Sequence, residues 1–253
     1  MINHRRQEIL SSLSLDNYTK ISDLASKFDV SVVTIRNDIS KMEEDGLVVR
    51  YHGKVRLANL PPIIPYSVRK DENFVKKQLI ARRAAELIQP GDSIMLDAGT
   101  TTMMIADQIQ GLSSVNVITN SISVTDCLAK TEHSVTLLGG MLLSKSMCTV
   151  GPTTEKELAS LECERLFLGC TGVRGTIGLT TGVVLEAMVK RAMIDISKEV
   201  IAVFDDSKFD QAGIHLFAKL NQIDTIITTR PAKKPPALSA AADLGIRIIY
   251  ADE

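Results

Sequence analysis

Apolar positions recur at helical spacing through the first sixty residues, whereas the remainder alternates short continuous apolar runs with amphipathic stretches. Ile9, Leu10 and Leu13 give one apolar edge to a helix over residues 3–13. Ser22 is placed to cap a second helix over 23–28, with Leu24, Ala25 and Phe28 inward. A turn at Asp29-Val30 and a cap at Ser31 lead into a third helix, 32–44. Its Ile35, Ile39 and Met42 stand at i, i+4 and i+7, and Gly46 follows where a left-handed terminal residue belongs. The run 47–56 alternates and turns at Gly53, which predicts a β-hairpin. Two short helices joined by a tight turn, then a hairpin, make a winged helix-turn-helix over residues 1–58.

Pro61, Pro62 and Pro65 interrupt any helix or ladder and mark a linker, set at 59–73. From 74 to 253 the pattern is βαβα. A helix over 74–88 ends at Pro90-Gly91-Asp92, and strands are predicted at 93–96, 115–119, 135–138, 165–169, 200–204, 225–229 and 247–250. Amphipathic segments at 103–110, 122–130, 185–197 and 237–244 lie between them. Continuous apolar strands separated by helices predict a mainly parallel α/β sheet covered on both faces.

The two parts offer different chemistry. In a helix-turn-helix the second helix of the pair enters the major groove of double-stranded DNA. With Ile35, Ile39 and Met42 inward, the outward set is Ser31, Val33, Thr34, Arg36, Asn37, Ser40 and Lys41. Arginine suits guanine, asparagine suits adenine, and hydroxyls suit phosphate or bases. The hairpin carries Arg50, Lys54 and Arg56 and no acid, so it is placed to reach phosphates. Arg5, Arg6 and His52 complete the DNA-facing candidates. In an open parallel sheet, ligands bind beyond the carboxyl ends of the strands. Five such ends are polar or glycine-rich: Asp97-Ala98-Gly99-Thr100-Thr101-Thr102, Thr119-Asn120-Ser121, Gly139-Gly140, Gly169-Cys170-Thr171-Gly172 and Asp205-Asp206-Ser207-Lys208. Each alone reads as a cap or turn. Together they predict an anion cradle for a small phosphorylated ligand.

Composition narrows the field. Net charge is −1 overall, +1 before residue 61 and −2 after it, so any nucleic-acid contact rests on local arrangement. No apolar run approaches the roughly 18 residues of a membrane span, and the charged start MINHRRQEIL does not read as a signal peptide, so a cytoplasmic protein is expected. Aromatic residues are 4% of the chain, with no Trp, which disfavours base stacking on single strands. Cys127, Cys148, Cys163 and Cys170 form no CxxC pair, so neither metal nor thiol chemistry is expected, and no GxxxxGK[ST] loop is present for a nucleoside triphosphate. Lys76-Lys77 and Arg82-Arg83 read as solvated helix faces, and Met103, Met104, Met188 and Met193 as core.

The stretches "RRQEIL" and "ISDLASKFDVSVVTIRNDISKMEEDGLVVRYHG", followed by "LIQPGDSIMLDAGTTT", "VITNS", "LLGG", "EAMVKRAMI" and "DDSKF", resemble the DeoR family of bacterial transcriptional regulators over nearly the whole length. The resemblance implies a winged helix-turn-helix joined to a domain similar to the ribose-5-phosphate isomerase fold. It also implies a homo-oligomeric repressor of carbohydrate genes whose operator affinity responds to a phosphorylated sugar, with no cofactor. By match to the family motifs, Asp97, Gly99, Thr100, Thr101, Thr102, Asn120, Ser121, Gly139, Gly140, Lys190, Asp205 and Lys208 carry over as effector positions, with Gly172 beside them. Three departures stand out: Asn37 where the family usually has a second Arg, Lys54 where it has a second wing glycine, and Gly169-Cys170-Thr171-Gly172 where it often has Gly-Ala-Asp-Gly. Two other classes stay open on inventory. A sugar-phosphate isomerase could recruit Glu186, Asp97, Asp205 and Lys208, and an adaptor could use the helical head to bind protein.

Overall fold

The computed structural model describes residues 4–13, 17–44, 47–57 and 64–252, which fall into two compact units divided after Pro62. In the first unit α1 (His4–Ser12) is followed by β1 (Thr19–Lys20), α2 (Ile21–Lys27), α3 (Val32–Glu44), β2 (Val48–Tyr51) and β3 (Lys54–Leu57). Ile9, Leu10, Leu24, Ile35, Ile39 and Met42 are fully buried together, as the helical spacing requires. Each such side chain contributes about 1.5–3 kcal/mol of burial free energy. Ser31 caps α3 by accepting the Thr34 amide at 3.1 Å. The expected cap at Ser22 is not formed: α2 begins two residues earlier, after Lys20, and the Ser22 hydroxyl faces Asp23. Gly46 lies outside the described residues.

The wing is a three-stranded antiparallel sheet, ordered β1-β3-β2. Tyr51 pairs with Lys54, so His52 and Gly53 alone form the turn, with φ of 45° and 75°. Two consecutive positive φ values are the signature of the type I′ turn, whose twist matches that of its strands. Lys54 is thus the first strand residue and replaces no turn glycine.

The second unit begins with α4 (Tyr66–Arg69) and α5 (Phe74–Ala85). It continues through β4 (Ser93–Leu96), α6 (Thr100–Ile109), β5 (Asn116–Thr119), α7 (Ile122–Leu128), β6 (Ser134–Leu137), β7 (Met141–Leu143), β8 (Cys148–Val150), α8 (Pro152–Leu158) and β9 (Cys163–Leu168). Then come β10 (Gly172–Arg174), β11 (Gly178–Thr181), α9 (Val184–Asp195), β12 (Ser197–Val203), a 3₁₀ turn (Asp206–Asp210), β13 (His215–Lys219), a second 3₁₀ turn (Leu220–Gln222), β14 (Thr225–Thr228), α10 (Pro236–Asp243) and β15 (Arg247–Tyr250). All seven expected strands form one parallel sheet, ordered β15-β14-β12-β9-β4-β5-β6.

Both faces are covered. Ile94, Leu96, Val117, Phe167, Ile201 and Val203 pack against Ile80, Ala84, Ile105, Ile109 and Val124 of α5, α6 and α7. The intervening Met95, Leu166 and Leu168 are buried on the other face. Met104, Met188 and Met193 fill core, as their spacing suggests. The order reverses at β4: the chain builds outward through β5 and β6, then returns to β9 on β4's other side. That reversal opens the crevice between the ends of β4 and β9 where ligands of such sheets sit. Two features had no sequence signal: the antiparallel sheet β10-β11-β13 and the hairpin β7-β8. The segment read as linker also carries structure, since α4 belongs to this unit and the Tyr66 amide donates to Lys145 O at 2.8 Å.

Candidate functional site

On α3, Val33, Arg36, Asn37 and Ser40 form one stripe at i, i+3, i+4 and i+7, opposite the buried Ile35, Ile39 and Met42. Arg36, Asn37 and Lys41 are exposed, and none has a hydrogen-bond or ion-pair partner among the described residues. The wing's Lys54 is exposed in the same way. Other candidates are spent on architecture. Asp38, on the inward side of α3, is buried and receives Arg5 Nε at 2.7 Å and Arg6 Nε at 2.8 Å. Burial alone would raise the Asp38 carboxyl, but the hydrogen bonds and charges of Arg5 and Arg6 outweigh it and hold the group below its ordinary value. Arg5 and Arg6 therefore fasten α1 to α3. Arg50 is also engaged: Nε donates to Glu43 Oε2 at 2.7 Å and Nη1 to Ser40 Oγ at 3.2 Å. Glu43 lies on α3, outside the hairpin, and Arg50 staples β2 to that helix. His52 holds the turn with its ring edge-on to Tyr51, centroids 4.4 Å apart.

At the β4–β9 crevice the central group is Asp97, whose side chain is 1% exposed. Its Oδ1 lies 2.9 Å from the Thr102 hydroxyl. Its Oδ2 accepts the Gly169 amide at 3.0 Å and an ion-paired hydrogen bond from Lys190 of α9. The Lys190 ammonium also donates to Gly169 O at 3.0 Å. An ammonium has three protons, and this geometry uses two. The third is the one left for another acceptor. The Asp97 carboxylate, engaged by the Thr102 hydroxyl, the Gly169 amide and Lys190, holds the ends of β4 and β9 together.

Thr102 is likewise interior: its hydroxyl takes the Gly99 amide at 2.9 Å and sits 2.8 Å from Asp97 O. Thr100 and Thr101 are buried as well, but neither hydroxyl has a partner among the described residues. The amides of residues 100–102 also precede the first intrahelical bond, from Met103 to Gly99 O at 3.1 Å. These donors, at the positive end of the α6 dipole, can receive an anion.

The remaining strand ends divide between support and site. Ser121 caps α7 through the Val124 amide at 3.2 Å. Asn120 donates Nδ2 to Thr149 O at 2.8 Å, while its buried Oδ1 has no partner among the described residues. The Gly139 amide is taken by Glu157 Oε2 at 2.7 Å. Gly140 has φ of 142°, and a Cβ there would lie 2.2 Å from Thr154 Oγ1. At Gly172 a Cβ would lie 2.1 Å from Gln211 O. These three glycines permit close packing within the protein. Asp205 is buried and caps the 3₁₀ turn through the Ser207 amide at 3.1 Å while accepting Asn73 Nδ2 at 3.0 Å. It too is a structural carboxylate. Among the described residues, the Lys208 ammonium, on that turn, hydrogen-bonds only Gln211 Oε1, at 3.3 Å. The Cys170 thiol is pushed up to about 12 by burial, and the charges of Lys208, Lys190, Asp97 and Asp205 all act on it. It is an uncharged thiol at the centre of the rim.

Sequence reasoning missed Lys77 and Arg69. Lys77 is 4% exposed, and its ammonium donates to Arg69 O. Burial draws its pKa down, with Asp205 pulling the other way. The signal was available: Lys77, Ile80, Ala81 and Ala84 share one helical stripe, and all four are buried. Lys76 pairs with Asp206 at 2.6 Å, so the supposedly solvated pair binds α5 to the turn carrying Lys208. Glu186, a candidate base, accepts the Thr181 hydroxyl at 2.6 Å.

Residues 5–60 match the DeoR-like helix-turn-helix domain and residues 72–230 the DeoR C terminal sensor domain. The chain is 34% identical to the HTH-type transcriptional repressor GlcR of Bacillus subtilis, over 88% of this chain and 86% of that one. It is 28% identical to the glycerol-3-phosphate regulon repressor of Escherichia coli K12, over 90% of each. Among solved structures, ribose 5-phosphate isomerase A of Methanocaldococcus jannaschii aligns over 55% of each chain, at 18% identity and a TM-score of 0.41. A family match spanning both units, and a relative this similar over most of its length, establish the family: the chain belongs to the DeoR family and is a DNA-binding transcriptional regulator.

Proposed function

We propose that the protein represses a carbohydrate-metabolism operon and that a phosphorylated sugar, docked at the β4–β9 crevice, changes its grip on the operator. The phosphate takes the open amides and hydroxyls of Thr100 and Thr101, with Lys208 and the spare proton of Lys190 supplying charge. Asn120 Oδ1 accepts from a sugar hydroxyl. Asp97, Thr102, Asp205 and Gly139-Gly140 hold this frame without touching the effector. The observation that carries the reading is the unspent helix start beside a lysine whose charge is anchored by a buried carboxylate. One relative, the glycerol-3-phosphate regulon repressor, is named for a phosphorylated metabolite.

Communication runs through residues 64–77, which follow the DNA-binding unit along the chain. They are tied to the effector turn by Asn73–Asp205 and Lys76–Asp206. Effector contact with Lys208 shifts that turn and the segment bound to it. The effector must bind one arrangement of the dimeric heads better than the other, since equal affinity shifts nothing. Differential scanning fluorimetry with a panel of sugar phosphates and the matching free sugars tests the site. A phosphorylated member should raise the melting temperature in the wild type and fail to do so in Lys208→Ala. Stabilisation by free sugars alone would refute the phosphate cradle.

A further inference from the structure

We propose that Val33 reads the 5-methyl group of a thymine in each operator half-site, which makes it a specificity-determining residue. The inference rests on α3 as the DNA-reading helix and adds what one position on it recognises. Val33 is 62% exposed in the first turn of α3, where base-edge contacts of such helices concentrate. It is an apolar residue on the stripe it shares with Arg36, Asn37 and Ser40, while the apolar residues opposite are buried.

The stripe has the chemistry of a base reader with one gap. Arginine matches the two acceptors of guanine, and asparagine matches the acceptor and donor of adenine. Thymine shows an acceptor and a methyl, and the methyl is matched only by an apolar group. Val33 is the apolar group on the stripe. Four residues separate it from Asn37, about 6 Å along the helix axis at about 1.5 Å per residue. Base pairs are stacked about 3.4 Å apart, so the two side chains reach base pairs about two steps apart. A β-branched side chain in a helix holds one preferred rotamer, so little freedom is lost on contact.

The full-length chain first selects its own duplex from a randomised pool. Each thymine of that duplex is then replaced by deoxyuridine, which removes only the methyl, and affinity is read by fluorescence anisotropy at fixed salt. Burying one methyl changes affinity about fourfold. One thymine per half-site should therefore cost about fourfold in the wild type. In Val33→Ser the penalty at that thymine should vanish while penalties elsewhere persist. The substitution lies on an exposed face, so an unchanged melting temperature should accompany it. Wild-type affinity insensitive to every thymine methyl would overturn the proposal, as would an equal penalty in Val33→Ser. A chain that selects no duplex would overturn the DNA-reading role of α3 itself, and that outcome is distinct from the other two.

Discussion

Replacing Lys190 with methionine keeps the bulk of the side chain and deletes its charge. The Asp97 carboxylate, 1% exposed, is then left with the Thr102 hydroxyl and the Gly169 amide and no counter-ion. Removing one partner of a buried pair costs about 3–5 kcal/mol, mostly because the survivor stays buried and uncompensated. Lys190 is itself only 12% exposed, so water cannot readily replace it. For a unit of this size, 1 kcal/mol moves the melting temperature by about 2–4 °C, so the drop should be about 6–20 °C. Calorimetry without ligand reads this directly, on the transition of the larger unit. The double variant Asp97→Asn with Lys190→Met should lose less than the sum of the two single variants, because it no longer buries a lone charge. A Lys190→Met protein melting within about 2 °C of the wild type would refute the anchoring role given to the pair.

Four further outcomes are expected. Arg36→Ala should weaken binding to a selected duplex by about 1–3 kcal/mol while the melting temperature holds, since Arg36 is exposed and unpaired among the described residues. Arg6→Ala, by contrast, should lower the melting temperature of the DNA-binding unit, because it removes one of the two guanidinium partners of Asp38. Asp38 has a depressed folded pKa, so its contribution is present above its unfolded value of about 3.9 and is lost as pH falls through the folded value. Urea midpoints of that unit should therefore drop below about pH 4 in the wild type, and Asp38→Asn should lack this component. Gly140→Ala should destabilise the larger unit by about 1–3 kcal/mol from its positive φ alone, and by more from the clash with Thr154, as urea unfolding would show.

The parallel sheet was legible because strands buried on both faces must be continuously apolar, and runs such as Ile94-Met95-Leu96 and Val200-Ile201-Ala202-Val203 are. The hairpin β7-β8 and the sheet β10-β11-β13 were not, because strands of three to five residues are too short to carry a usable period. The recognition stripe followed from helical spacing alone. Charged residues were harder. Whether Arg5, Arg50 or Asp205 faces outward depends on a partner 33, 7 or 132 positions away, and spacing along the chain does not encode such partners. The strand ends were located correctly as a rim, yet their shared polarity hid two populations. Thr100, Thr101 and Lys208 keep free donors, whereas the carboxylates of Asp97 and Asp205, the Thr102 hydroxyl and the Gly139 amide are engaged within the protein. Lys77 was misread because a lysine suggests solvent, although its place on the Ile80–Ala84 stripe says otherwise.

The most direct test is operator affinity of the full chain, titrated with a sugar phosphate and, separately, with the same sugar lacking its phosphate. The phosphorylated compound should change the dissociation constant by about 5- to 150-fold, the usual range of coupling between two sites, and Lys208→Ala should abolish the change. An equal response to the unphosphorylated sugar, or an undiminished response in Lys208→Ala, would contradict a phosphate-reading rim that governs the DNA-binding head.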